Sequence, residues 1–312
     1  MNLITKHGKK EKKENLWGTI FVTPQIIGLA VFVAFPLICS LIMCFTDWNN
    51  LSEPPIFVGW ANFHYVFTDP VFWKSLGNTG LYVLIIVPAT LFISLGLALL
   101  TNRKLPLKPL YRAAFFLPMV TSSVAIAMVW RYIYMPSYKG GILNTIIVNV
   151  FHGQDIGWLT DTKFGLITVS IICIWLKIGY YYIIFDAGLK NIPKELYEAA
   201  DIDGASWFTK ARRITIPMLS NVAFFVMVML FIDVVCMFNE ARLVCAVAGG
   251  TDRCMYSLSY YIFYMYHDVI SIPEGTPKGC AAVASWVLFM LTGIVTTVQF
   301  LFKKKLVYAQ CN

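Results

Sequence analysis

The hydrophobic residues of this chain are gathered into six long runs, which shorter polar stretches separate. Each run is close to or above the length of about 20 residues that a helix needs to cross a hydrocarbon layer about 30 Å thick. None shows the alternation of a membrane barrel strand, and a helix satisfies its backbone hydrogen bonds internally. We therefore predict an all-α polytopic membrane protein with six transmembrane helices, at roughly Trp17–Phe45, Leu81–Leu100, Phe115–Ile133, Leu166–Phe185, Met218–Met237 and Ala281–Phe302.

The composition supports this class. The chain is 58% hydrophobic and 13% charged, with a mean hydropathy of +0.67, which is too apolar for one soluble core. The first run follows a basic tail, KHGKKEKKE, but it is too long for a signal-peptide core and shows no clear cleavage site. We interpret it as a retained membrane helix.

Lys and Arg are concentrated on alternate loops. They cluster in the N-terminal tail, in NRKLPLKPLYR, in the segment 190–213 and in the final KKK. The opposite loops carry fewer, namely Lys74, Arg131, Lys139, Lys163, Arg242, Arg253 and Lys278. The positive-inside rule then predicts cytoplasmic N- and C-termini. The net charge of +8 follows from this topology and does not indicate nucleic-acid binding.

The sequence offers little catalytic chemistry. It has no cysteine or histidine cluster with metal-ligand spacing, no GxxxxGK[ST] phosphate loop and no convincing Ser-His-Asp group. We expect neither enzyme activity nor a cofactor in this chain. Cysteines in the apolar runs are expected to be buried thiols, whereas an outer-loop disulfide, most simply Cys245–Cys254, stays open.

One charged stretch between the fourth and fifth runs is unusual, KELYEAADIDGASWFTKARRITIP. Pro193 suits the first turn of a helix that Gly204 ends, and Ser206 suits the cap of a second helix that stops before Pro217. From these residues alone, two interpretations stay open. The hairpin lies on the membrane surface without a partner, or its acidic face pairs with basic residues of another chain.

This stretch resembles the EAA loop of membrane subunits of binding-protein-dependent ABC importers. The matching elements are Glu198-Ala199-Ala200, Asp203-Gly204-Ala205 and Ile214-Thr215-Ile216-Pro217, with Ile216 in place of the usual Leu. The resemblance implies that the loop docks on a cytoplasmic ATPase. The coupling residues would be Glu198, Ala199, Ala200, Asp203 and Gly204.

Further segments resemble the carbohydrate, maltose-type branch of these permeases, among them YRAAFFLPMVTSSVAIAMVWRYIYMPSYKGGILN, GWLTD and IWLKIGYYYIIFDAGLKNIP. The likeness implies an ABC type I importer permease fold, with a basic tail at 1–16, a permease domain at 17–308 that contains a coupling loop at 190–217, and a tail at 309–312. It also implies a plasma-membrane assembly with a second homologous permease, a dimer of cytoplasmic ATPases that bind ATP and Mg, and an extracellular solute-binding protein.

Two places depart from the family pattern. The usual T-x-G-G-P after the fifth helix is replaced by Ala246-Val247-Ala248-Gly249-Gly250-Thr251, so we expect a different outer-loop turn. Asp186 stands where an apolar residue is usual, near the cytoplasmic end of the fourth helix. We interpret it as a carboxylate that snorkels to the interface.

Two charges lie inside predicted membrane helices, Lys177 and Asp233. Each costs about 2.5–3.5 kcal/mol at a helix centre, so each needs a partner or a wet cavity. They can form an ion pair, they can line a translocation cavity, or both. By resemblance, the sugar-contact positions fall on Cys173, Leu176, Lys177, Tyr180, Leu230, Asp233, Val234 and Met237. In this cavity Lys177 and Asp233 would bond sugar hydroxyls, while Tyr180 or Trp175 would stack on a sugar ring. A charged sugar stays open as the substrate.

The favoured hypothesis is the permease subunit of an ATP-driven sugar importer, with an oligosaccharide as substrate. One alternative is an ABC importer of another solute, such as a phosphorylated polyol. Another is an ion-coupled secondary transporter that uses Lys177 and Asp233, against which stand the EAA hairpin and the lack of a visible inverted repeat.

Overall fold

In the part of the chain that the structure describes, the regular structure is helical apart from one two-residue ladder. A computed structural model of the protein describes residues 17–48, 54–102, 106–244, 251–267, 269, 272 and 275–306. The helices are α1 (Trp17–Met43), α2 (Ala61–Thr68), α3 (Pro70–Thr101), α4 (Lys108–Val120), α5 (Ser123–Ile133), α6 (Ile142–Asn149), α7 (Gly165–Lys190), α8 (Lys194–Ile202), α9 (Trp207–Met218), α10 (Ser220–Val235), α11 (Asn239–Val244), α12 (Leu258–His267) and α13 (Pro277–Leu306). Strands β1 (Thr46–Asp47) and β2 (Ile56–Phe57) pair antiparallel, with Thr46 opposite Phe57.

Among the described residues, four helices are long and apolar enough to cross a membrane, namely α1, α3, α7 and α13. Two further apolar stretches are bent pairs. Helices α4 and α5 meet at 98°, and α9 and α10 meet at 64°, so the number of spans is six if each pair counts as one. The prediction of one continuous third helix at Phe115–Ile133 is therefore wrong, because the chain breaks inside it.

The break between α4 and α5 has a local cause. Pro118 has no N–H to continue the helical ladder, and Thr121 and Ser122 adopt ψ angles of 147° and 128° outside the helical region. The Thr121 hydroxyl donates to the Leu117 carbonyl at 2.8 Å, which satisfies a group that the break would otherwise leave unpaired. A polar turn is thus stabilised in the middle of an apolar run.

The core lies between α3 and α7, which pack along much of their lengths. Tyr82 and Ile86 of α3 are fully buried, as are Tyr182 and Phe185 of α7. Helix α4 also approaches α7 very closely at Gly179, where a Cβ atom would lie 1.9 Å from the Phe115 carbonyl oxygen. A larger residue there would push away the helix that leads into the α4–α5 break.

The first and last spanning helices lie side by side. The buried Asn62 amide of α2 donates to the Cys44 and Thr46 carbonyls, at 3.1 and 3.2 Å, and accepts from the Thr276 N–H at 2.7 Å. Trp286 of α13 donates to the hydroxyl of Ser40 in α1 at 3.2 Å. The side chain of Asn62 therefore joins the end of α1 to the start of α13.

Several predictions fall outside the described residues. These are the tail 1–16, the tail 309–312, the departure from T-x-G-G-P at 246–250, and Cys245 as a disulfide partner. Cys254 and Cys280 are buried free thiols. Of the cysteines in apolar runs, Cys44 and Cys173 are buried as expected, Cys39 is partly buried, and Cys236 is exposed because α10 has already ended at Val235.

Candidate functional site

A cavity of about 440 Å³ opens where the α4–α5 break faces α7, α10 and α11. Pro118 and Thr121 come from the break, and Leu176 and Tyr180 come from α7. Tyr180 is 37% exposed and lies edge-on to the neighbouring Tyr181 ring. The cavity therefore combines apolar walls with hydroxyl and aromatic groups.

Three charged side chains meet in this cavity. Lys177 Nζ lies 2.7 Å from Asp233 Oδ2 and 3.7 Å from Glu240 Oε1, and the Tyr181 hydroxyl is 3.4 Å from Asp233 Oδ2. The Lys177 side chain is 11% exposed, whereas those of Asp233 and Glu240 are 46% and 19% exposed. Lys177 and Asp233 thus form an ion pair and line the cavity at the same time.

The predicted sugar-contact positions divide into two sets. Four of them line the cavity, namely Leu176, Lys177, Tyr180 and Asp233. The other four lie in the helix-packing core, namely Cys173, Leu230, Val234 and Met237. There the Cys173 sulfur is 3.0 Å from the Met237 sulfur, so this face of α7 packs against the end of α10.

The lining of the cavity differs from the prediction at two residues, Trp175 and Glu240. Trp175 does not line it, and its ring instead packs edge-on against Trp130 at 5.6 Å. Glu240 does line it, although it was not among the residues predicted from the sequence. The only signal was an acidic residue just beyond the fifth apolar run, in the first turn of α11.

Asp186 does not snorkel to the interface, and that prediction is wrong. It is 4% exposed and lies 2.5 Å from Arg112 Nη2, 2.9 Å from Lys190 Nζ and 3.8 Å from Lys108 Nζ. The physical reason is that α4 brings two cations to the end of α7, so the carboxylate is neutralised where it is buried. The cluster joins α4 to the C-terminal end of α7.

The hairpin between α7 and α10 has the two predicted helices, joined at Gly204. The prediction that the second helix stops before Pro217 is wrong, because α9 continues through Pro217 to Met218. Helix α8 ends before Gly204, whose φ of +69° is left-handed, and the Ser206 hydroxyl caps α9 by accepting from Thr209 N at 3.3 Å. Lys210 bonds Asp201 at 2.5 Å across the turn. Pro193 lies one residue earlier than predicted, at the N-cap of α8.

The outer face of this hairpin is open. Glu198, Ala199, Asp203 and Gly204 are exposed and Ala200 is partly exposed. Ile202 and Phe208 beside them are 88% and 67% exposed, and a Cβ at Gly204 would meet no atom within 4 Å. The hairpin therefore leaves acidic, small and large apolar groups accessible.

The family described as "Binding-protein-dependent transport system inner membrane component" matches residues 90–306. The chain belongs to this family and is therefore a membrane-embedded subunit of a binding-protein-dependent transport system. It is 33% identical to "Probable ABC transporter permease protein YesP" of Bacillus subtilis, over 95% of this chain and 93% of that protein. It is 31% identical to the lactose transport system permease protein LacF of Rhizobium radiobacter, over 91% of this chain and 92% of LacF.

A solved structure has the same fold. It is the crystal structure of a bacterial ABC transporter involved in the import of the acidic polysaccharide alginate, which superposes with a TM-score of 0.81. The match covers 96% of this chain and 99% of the other, at 20% sequence identity. At this identity, the likeness establishes the fold of the chain and not its solute.

Proposed function

We propose that this chain is the membrane-spanning permease subunit of an ATP-driven importer that takes up an oligosaccharide from an extracellular solute-binding protein. The observation that carries the proposal is the cavity at the α4–α5 break, in which Lys177, Asp233, Glu240 and Tyr180 face one space. Sugars offer many hydroxyl groups and apolar ring faces, which suit charged hydrogen-bonding groups beside an aromatic ring. The similarity to LacF supports a sugar as the solute.

The working assembly contains four kinds of protein. This chain pairs with a second homologous permease, two cytoplasmic ABC ATPases bind ATP and Mg, and an extracellular protein delivers the sugar. Helix α1 leaves apolar side chains exposed on this chain, which either a permease partner or lipid can cover. The N- and C-termini lie in the cytoplasm of a plasma-membrane protein, in line with the distribution of Lys and Arg.

The hairpin couples ATPase closure to the cavity. Glu198, Ala199, Ala200, Asp203 and Gly204 form the docking surface for the ATPase. Covalent continuity supports this role, because α8 follows α7 after three residues and α9 leads directly into α10. Helices α7 and α10 carry Lys177 and Asp233, so a displacement of the hairpin reaches both sides of the ion pair.

The experiment that tests the proposal is purification of the chain from its native membrane in a mild detergent. Mass spectrometry identifies the co-purifying proteins, and an ATPase assay measures the activity of the mixture. We expect a second permease, an ABC ATPase and a solute-binding protein, whose sugar can then be screened. Recovery of the chain alone, without ATPase activity under conditions that preserve a known importer, would contradict the proposal.

A further inference from the structure

The charge balance of the cavity is negative. Its lining contains one ammonium group, on Lys177, and two carboxylates, on Asp233 and Glu240. No other Lys, Arg, Asp, Glu or His is found among the described residues that line it. The single cation therefore interacts with both carboxylates and has no full positive charge left for a solute.

We propose that Glu240 is a specificity residue that makes this half of the pathway select neutral sugars and reject anionic ones. The inference rests on the proposed importer function and names the solute class of that same cavity. A carboxylated or phosphorylated solute would meet the second carboxylate without a free counter-ion, and such like-charge contacts disfavour binding. A neutral sugar instead donates its hydroxyl groups to the two carboxylates.

The positions of the two carboxylates give them different roles. Asp233 is the nearer partner of Lys177, at 2.7 Å against 3.7 Å for Glu240. Asp233 thus neutralises the buried ammonium group of Lys177, and Glu240 carries the excess negative charge of the cavity. Because Glu240 lies on α11 and Asp233 on α10, the excess charge can be removed without removing the closer ion pair. This geometry also weighs against the phosphorylated-polyol alternative.

The test compares a neutral oligosaccharide with its uronate counterpart of equal length, using the complete importer in proteoliposomes. The quantity measured is the ratio of ATP-dependent uptake of the neutral sugar to that of the uronate. In wild type we expect this ratio to favour the neutral sugar by about tenfold or more. Glu240→Gln keeps the side-chain size and should lower the ratio several-fold, whereas Glu240→Asp keeps the charge and should leave it near the wild-type value.

A second measurement removes the selectivity of the binding protein. The uronate is tested as a competitor of the labelled neutral sugar for binding to the purified complex of permeases and ATPases, without the binding protein. Glu240→Gln should make the uronate a stronger competitor. Equal uptake ratios in wild type and Glu240→Gln would overturn the role of Glu240. Equal uptake of both sugars by wild type would also overturn it. Neither result would contradict the proposed importer function. Failure of ATP-dependent uptake of either sugar by wild type would overturn the proposed function together with this inference.

Discussion

Lys177 is held by two carboxylates from separate helices, and this arrangement determines what a single substitution does. Asp233 comes from α10 at 2.7 Å and Glu240 from α11 at 3.7 Å. Removal of one carboxylate leaves the other within reach of the ammonium group. The side chain of Asp233 is also 46% exposed to the cavity, so its loss changes the solute surface more than the packing.

For this reason we expect Asp233→Leu to reduce sugar uptake while the importer still assembles. Loss of a charged hydrogen-bond acceptor costs about 1.5–3 kcal/mol, which corresponds to roughly a 10- to 100-fold loss of affinity. The measurement is ATP-dependent uptake, together with recovery of the complex after purification. Asp233→Asn keeps the shape and should retain more uptake than Asp233→Leu. Loss of the assembled complex would instead indicate a purely structural ion pair.

At the scale of elements, the Asp186 cluster joins α4 to α7. Asp186 is buried among Arg112, Lys190 and Lys108, and its removal would leave these cations facing one another. This contact lies on the stretch of α4 that leads to the cavity break. It therefore contributes to the position of the break as well as to the stability of the fold.

We expect Asp186→Asn to lower the melting temperature of the purified protein in detergent. The free energy of unfolding should fall by about 3 kcal/mol. This is the low end of the range for a broken buried ion pair, because Arg112 and Lys190 are themselves partly exposed. Asp201→Asn is the matched control, since its pair with Lys210 is exposed and should contribute at most about 1 kcal/mol. Equal melting temperatures for the two variants would contradict the role of Asp186.

The hairpin gives a second prediction at this scale. Glu198→Arg should lower uptake about tenfold or more without unfolding the protein, because Glu198 is exposed and the change reverses the charge on the proposed docking surface. Uptake and ATPase activity are measured on the same preparation. If uptake is lost while ATPase activity is retained or unregulated, the variant is uncoupled. Glu195→Arg makes the same charge change one turn earlier, outside the motif, and should have a smaller effect. Normal transport by Glu198→Arg would refute the coupling assignment.

These elements also explain what the sequence could and could not predict. The hairpin was predictable because its signals are local, a left-handed Gly204 and a capping Ser206. The break at Thr121 and Ser122 was missed because Pro118 alone does not predict it, since Pro88 lies inside the continuous helix α3, and because a hydroxyl that bonds its own helix leaves no mark in hydropathy. Glu240 was missed because it reaches Lys177 only after the chain has left α10 and turned, which helical spacing cannot describe.

At the scale of the whole molecule, the two ends of the spanning helices differ in charge. The hairpin with Asp203 is predicted on the basic, cytoplasmic side, and Asp252, paired with Lys74, on the opposite side. Both aspartates are exposed, so each position can report the orientation of the chain. The predicted topology can therefore be tested without a partner protein.

We expect a membrane-impermeant thiol reagent to label Asp252→Cys in intact cells. Asp203→Cys should react only after the membrane has been permeabilised, because its loop is predicted to face the cytoplasm. Wild type is the control, since Cys236 is exposed and gives a background signal. The reverse pattern of labelling would invert the topology and place the hairpin away from any cytoplasmic ATPase.

The contact between Asn62 and Thr276 has a consequence for biosynthesis. The two residues are 214 positions apart, so at about 5–20 residues per second the ribosome makes Thr276 roughly 10–40 seconds after Asn62. During this interval the polar amide beside α1 lacks one of its native partners. The contact beside the first helix is therefore completed only after the last part of the chain has been made, and a nascent chain cut short before α13 leaves the Asn62 amide without its Thr276 partner.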